Sequence, residues 1–153
     1  MAVPALQSIG VVRDADNDAG AAFDSVCDGI RSVNYEPPLN HGEFSNGMPA
    51  VGVFIVPDGT EPGAVETLCR RSRQGSATAE CVDEYLKCLE ERHASRSTNA
   101  DKSFAHAYLA AMGEPLARVG EGALQGVWDF ASPAFAPLAQ FVRQLAVRPV
   151  GNP

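Results

Sequence analysis

No stretch of this chain stays apolar for the roughly 20 residues that a helical membrane span requires, and residues 1–10 lack the basic start and long apolar core of an export signal. A cytoplasmic protein with no membrane partner is the expectation. The four cysteines, Cys27, Cys69, Cys81 and Cys88, form no C-x-x-C pair, so there is neither a zinc knuckle nor a redox dithiol to build on. They read as small apolar side chains on inward helix faces, unpaired in a reducing compartment. Basic charge is also scarce. With 12 Lys and Arg against 19 Asp and Glu the net charge is −7, which argues against a broad basic surface for a phosphate backbone. Carboxylates can still recruit a divalent cation and reverse the local sign of charge. H-E-x-x-H, G-x-S-x-G, Walker A and G-x-G-x-x-G are all missing, so metalloprotease, serine-hydrolase and nucleotide-fold readings lack their motifs. His41, His93 and His106 share no metal-ligand spacing.

What is present fits one globular domain over residues 1–153: 45% hydrophobic and 20% charged residues lie far from a disordered composition. Residues 8–13 (S-I-G-V-V-R) form a β-branched apolar run ending abruptly in D-A-D-N-D, as a buried strand reads when it delivers carboxylates to its C-terminal end. The period then changes. Phe23, Val26, Cys27, Ile30 and Val33 recur at three- and four-residue spacing, and Asp18 is placed to cap a helix beginning near Ala19. Residues 34–49, rich in proline and glycine, read as an irregular surface connection. The nearly continuous apolar run 50–56 (A-V-G-V-F-I-V) reads as a strand covered on both faces, closed by Pro57 and Asp58. A helix over 64–71 should turn Val65, Leu68 and Cys69 inward.

Two such strand, acidic turn, helix units predict an α/β fold with a short parallel sheet, because the helix over 19–33 is long enough for a β-α-β connection. The C-terminal half reads as helical. Val82, Tyr85, Leu86 and Leu89 mark one amphipathic helix, and Phe104, Ala105, Tyr108, Leu109 and Met112 another. A weaker, glycine-broken segment covers 116–126. Ser132 followed by Pro133 starts the last helix, with Phe135, Leu138, Val142 and Leu145 inward, and 149–153 should fray.

The chemistry concentrates in Asp14, Asp16 and Asp18, opposed by a second acidic loop carrying Asp58 and Glu66. Carboxylates held this close repel unless a metal or protons neutralise them. On the alternative, structural reading, Asp18 caps the helix, Asp16 favours its positive end, and Asp14 is solvated. For Asp14 and Asp16 the metal reading is preferred, because the C-terminal edge of a buried strand is where α/β proteins place their sites. For Asp18 the two readings stand level. Arg70, Arg71 and Arg73 form a compact basic patch that reads first as a solvated helix end and second as a phosphate contact.

Four segments in order carry a resemblance: I-G-V-V-R-D-A-D-N-D (9–18), V-G-V-F-I-V-P-D (51–58), P-G-A-V-E-T-L (62–68) and D-K-S-F-A-H-A-Y-L-A (101–110). Together they resemble the Toprim superfamily, the catalytic domain of topoisomerases, primases and OLD-type nucleases, and more closely a family of small Toprim-like bacterial proteins. The resemblance implies that Asp14 and Asp16 bind Mg²⁺ or Mn²⁺, with Asp18 and Asp58 as further metal candidates. It implies that Glu66 supplies another carboxylate, for metal or catalysis, and that Lys102 faces a phosphate or leaving oxygen. His106, four residues after Lys102, reads as a structural or rim residue. Toprim domains begin with a strand and turn bearing a glutamate, and no glutamate precedes Ile9 here. An N-terminal β-α-β portion is therefore expected to be missing, leaving exposed sheet edges.

The function expected is divalent-metal-dependent phosphodiester hydrolysis or phosphoryl transfer on nucleic acid or nucleotide. The alternative is a catalytically silent structural or regulatory module acting through a partner. A homodimer or a protein partner covering the sheet edge is expected under either.

Overall fold

The computed structural model describes residues 6–94 and 98–147. Two strands, β1 (Ser8–Asp14) and β2 (Ala50–Val56), pair in parallel with Ser8 opposite Ala50 and Asp14 opposite Val56. Between them runs α1 (Ala19–Ser32), and six α-helices in all occur among the described residues, so the architecture is α/β with a short parallel sheet. No helix among these residues is long and apolar enough to cross a membrane. The residues 149–153, expected to fray, lie outside the described part of the chain.

The chain divides into two compact units. The first comprises Met1–Ala64 with Ala136–Pro153 and holds the sheet, α1 and the last helix, α6 (Ala136–Ala146). Side chains alternate across a strand, and the two faces of this sheet bury different partners. Val51, Val53 and Ile55 pack with Ala19, Ala22 and Ile30 of α1, joined by Val11, Phe23 and Val26. On the other face Phe54 meets the Phe141 ring of α6 at 5.5 Å, and Phe44 stacks on Phe141 at 5.0 Å. Gly10 is small because Leu145 and Phe141 of α6 lie over it: a Cβ there would stand 2.9 Å from Leu145 Cδ2.

The second unit, Val65–Phe135, is helical: α2 (Val65–Ser72), α3 (Ala77–Glu91), α4 (Ala100–Ala110), α5 (Val119–Leu124) and a 3-10 turn at Pro133–Phe135. Its centre is Phe104, Ala105, Tyr108 and Leu109 of α4, all buried, with Leu68 and Cys69 of α2 and Trp128. Ser76 and Asn99 cap α3 and α4 by accepting from Ala79 and Lys102 N–H, which satisfies donors that a helix start leaves without intrahelical partners.

Several inward assignments are corrected by the structure. Val33 is the C-cap of α1 rather than part of its apolar stripe and is 61% exposed. Val65, at the start of α2, is exposed, and so are Cys81, Tyr85 and Cys88, since α3 buries only Ala79 and Val82. In α6 the fully buried residue is Phe141, which the helical spacing does not pick out, while Val142 is half exposed. Pro133 opens a 3-10 turn and not the α-helix itself. The largest correction concerns β1. It reads as a buried strand, yet every β2 residue is buried and no β1 residue is.

All four cysteines are unpaired, as expected. Burial pushes the Cys69 thiol up to about 12, with the Glu66 carboxylate adding to the shift, and burial also raises Cys27. The thiolate is the reactive species, so alkylation of the native protein should stop at Cys81 and Cys88. Mass spectrometry after limited alkylation checks this, and rapid labelling of Cys69 before unfolding would contradict it.

Candidate functional site: the acidic edge of the sheet

Parallel pairing brings the C-terminal ends of β1 and β2 to one edge of the sheet, where both acidic loops emerge. The backbone ties the loops together beyond the strands. Ala15 N–H donates to Val56 C=O at 2.9 Å, and Asp16 exchanges two bonds with Gly63: its N–H donates to Gly63 C=O at 2.8 Å and its C=O accepts from Gly63 N–H at 2.9 Å. Ala15 is thereby pinned in the core, and Asp16 and Asp18 beyond it are exposed. Asp16 has φ 51°, a left-handed conformation that aspartate tolerates better than most residues.

Two of the carboxylates build the loops that carry them. Asp18 caps α1: its Oδ1 accepts from Ala21 N–H at 2.9 Å. Asp58 closes its own turn, with Oδ1 accepting from Thr60 N–H, Thr60 hydroxyl and Glu61 N–H, each at 2.9 Å. That pattern is an Asx turn, which organises the loop whatever else the side chain does. Asp16 is held through its backbone rather than by a cap of this kind.

His41, which no spacing in the sequence singles out, sits beneath the Asp58 turn. Its Nδ1 accepts from Ile55 N–H at 2.9 Å, its ring lies 4.5 Å from that of Phe54, and it fills the space a side chain on Gly59 would need. To accept at Nδ1 the imidazole must be neutral with its proton on Nε2. Burial lowers the His41 pKa from the ordinary 6.5, and the nearby Asp58 carboxylate partly opposes that. A depressed folded pKa gives stability that is present above 6.5 and lost as pH falls toward the folded value. Lowering the pH from about 8 to about 5 should therefore cost the parent more stability than His41→Asn, as measured by urea denaturation. Equal losses would remove His41 from this role.

Glu66 and Lys102 belong to the second unit. Glu66 stands in the first turn of α2, and its Oε2 is buried with no hydrogen-bond partner among the described residues. A buried carboxylate oxygen left without a donor is costly. Lys102 is exposed on α4 and, with His106, lines an open, largely apolar groove of about 860 Å³ against Cys81, Val82, Leu86 and Leu89 of α3. The arginine patch is largely engaged in structure. Arg70 bridges Asp101 at 2.9 Å and Asp83 at 2.8 Å with its guanidinium over the Phe104 ring, Thr67 hydroxyl donates to Asp101 at 2.6 Å, and Arg73 Nε donates to Tyr108 hydroxyl at 3.0 Å.

The two acidic loops carry carboxylate oxygens, the donor type that a hard cation such as Mg²⁺ takes. Among the described residues no group of three or more His, Cys, Asp or Glu side chains is arranged to enclose an ion. The described residues therefore form no closed protein cage for an ion.

No curated protein and no solved structure matches the chain. Residues 1–147 match the family described as Protein of unknown function (DUF3226), and the chain belongs to that family.

Proposed function

We propose that the acidic edge of the sheet is a divalent-cation site and that the protein carries out Toprim-like phosphoryl-transfer or phosphodiester-cleaving chemistry on a nucleic acid or nucleotide. One observation carries this reading: the paired bonds between Asp16 and Gly63 hold the D-x-D loop and the Asp58 loop at the same C-terminal edge of a parallel sheet. In this reading Asp14 and Asp16 hold the hydrated ion, and Asp58 and Asp18 shape the loops while adding negative field. A bound Mg²⁺ or Mn²⁺ would supply Lewis-acid polarisation of a phosphate oxygen. Glu66 and Lys102 enter through the resemblance and their own chemistry, Glu66 as a carboxylate whose Oε2 is buried without a partner among the described residues and Lys102 as a cation able to offset charge on a phosphate.

The competing reading is a silent module that keeps the scaffold and acts through a partner. Calorimetric titration with Mn²⁺ separates them. Binding should be present in the parent and weakened at least about tenfold by Asp14→Asn or Asp16→Asn, because each removes one anionic ligand. Asparagine is chosen at residue 16 because it tolerates the left-handed backbone that alanine would strain. No binding by the parent, or equal binding by both variants, would defeat the metal reading. Loss of metal-dependent cleavage in Glu66→Gln and Lys102→Met, with metal affinity kept in the lysine variant, would extend it to those residues.

A further inference from the structure

Gln7 C=O accepts from Ala50 N–H and Ala15 N–H donates to Val56 C=O, so the odd-numbered residues of β1 direct their backbone groups at β2. The even-numbered ones, Ser8, Gly10, Val12 and Asp14, direct theirs away. The N–H and C=O groups of Gly10 and Val12 have no partner among the described residues.

The opposite edge of the sheet is treated differently. Val51, Val53 and Ile55 turn their backbone groups outward from β2, and residues 41–45 meet them one by one. Ser45 N–H donates to Val51 C=O at 2.8 Å and Ser45 Oγ accepts from Val51 N–H at 3.0 Å; Gly42 N–H donates to Val53 C=O at 2.7 Å, and His41 Nδ1 takes Ile55 N–H. Among the described residues one edge is closed by a fitted strap and the other is open at Gly10 and Val12. The open one belongs to a β-branched apolar strand whose Val12 is 49% exposed and whose flanking helix α6 leaves Val142 50% exposed. Open, apolar edges are sites of strand addition.

We propose that a second copy of this chain adds to this edge, β1 against β1 in antiparallel, about a two-fold axis perpendicular to the sheet. With the axis at Val11, Gly10 pairs with the partner's Val12 and Val12 with the partner's Gly10. Each such pair exchanges two backbone bonds, and no like charges face one another. The pairing joins two short sheets into one of four strands, a size at which a sheet is independently stable. Charge selects the antiparallel sense. With a net charge of −7 per chain, parallel pairing would stack two acidic tips, whereas the antiparallel arrangement sends them to opposite ends of the new sheet. A two-fold of this kind keeps α6 and its copy on the same face, where the exposed apolar flank at Val142 is repeated across the axis. The inference does not depend on the metal reading, since the paired residues Gly10 and Val12 carry no carboxylate.

Sedimentation of the parent chain from about 1 to about 100 µM, read with amide hydrogen exchange, tests it. A dimer should form, and the Gly10 and Val12 amides, which no bond among the described residues protects, should exchange slowly in the dimer and fast on dilution. Val12→Lys places a charge at the edge, and Val12→Pro deletes a donor that β1–β2 pairing does not use. Both should weaken association at least about tenfold while the far-UV circular dichroism of Val12→Lys stays that of the parent. A monomer throughout the range, a dimer in which those amides remain unprotected or are protected independently of concentration, or a dimer indifferent to Val12→Lys would each overturn the proposal.

Discussion

Phe54→Ala is expected to cost about 3–5 kcal/mol of stability, enough to threaten folding of a domain of ordinary marginal stability. Phe54 lies within β2, the strand buried along its whole length, and is itself 2% exposed. It is the shared neighbour of two otherwise separate features: Phe141 of α6 packs at 5.5 Å and the His41 ring at 4.5 Å. Neither neighbour can collapse freely into the space left behind. Phe141 is also stacked on Phe44, and His41 is tethered to Ile55 N–H. A cavity that cannot close adds its own cost to the lost transfer energy. Phe54→Leu keeps most of the volume and should cost below about 1.5 kcal/mol. Urea denaturation followed by far-UV circular dichroism measures both, and a loss below about 1 kcal/mol for Phe54→Ala would show that the α6 face contributes little.

Local chemistry is legible where the signal lies within a few residues. The unbroken apolar run and β-branching of 50–56 identify β2, the Asp18 cap and the stripe through Cys27 and Ile30 identify α1, and parallel pairing follows from the length of the connection. The misplaced residues have a common cause. Whether an apolar residue is inward depends on what the rest of the chain brings to it, and Val12, Tyr85 and Val142 all stay about half exposed among the described residues. Pattern alone treats a half-covered strand and a covered one alike, because both need the same β-branched residues.

The site shows the same division. D-A-D-N-D places three aspartates in one loop, and Asp18 as a cap can be read from its place before the apolar stripe. The Asx turn at Asp58 is also local, since its three donors come from Thr60 and Glu61. His41 is invisible in the sequence because it acts across 14 residues, on the backbone of Ile55, by a contact that leaves no periodicity. Nor does a linear motif disclose that Glu66 Oε2 is buried without a donor among the described residues.

Gly59→Ala should destabilise the protein by at least about 2 kcal/mol, and the same step should cost only about 1 kcal/mol when made in His41→Ala. Two separable terms enter. Gly59 has φ +82°, a left-handed conformation that costs any other residue except asparagine or aspartate about 1 kcal/mol. A Cβ at this position would also stand 2.2 Å from His41 Cδ2 and 2.3 Å from its Cγ, so the ring or the turn must move. The ring is poorly placed to give way: retreat would break the Ile55 N–H bond and the contact with Phe54, leaving a buried N–H without an acceptor. The displaced element is then the Asp58 turn, whose three hydrogen bonds to a single carboxylate oxygen set its shape. His41→Ala removes the obstruction but leaves the backbone strain, so in the double variant the Gly59→Ala step should shrink to about 1 kcal/mol. A thermodynamic cycle from urea denaturation of the four proteins reads the coupling directly, and additive effects within about 0.5 kcal/mol would show that His41 does not hold the acidic turn.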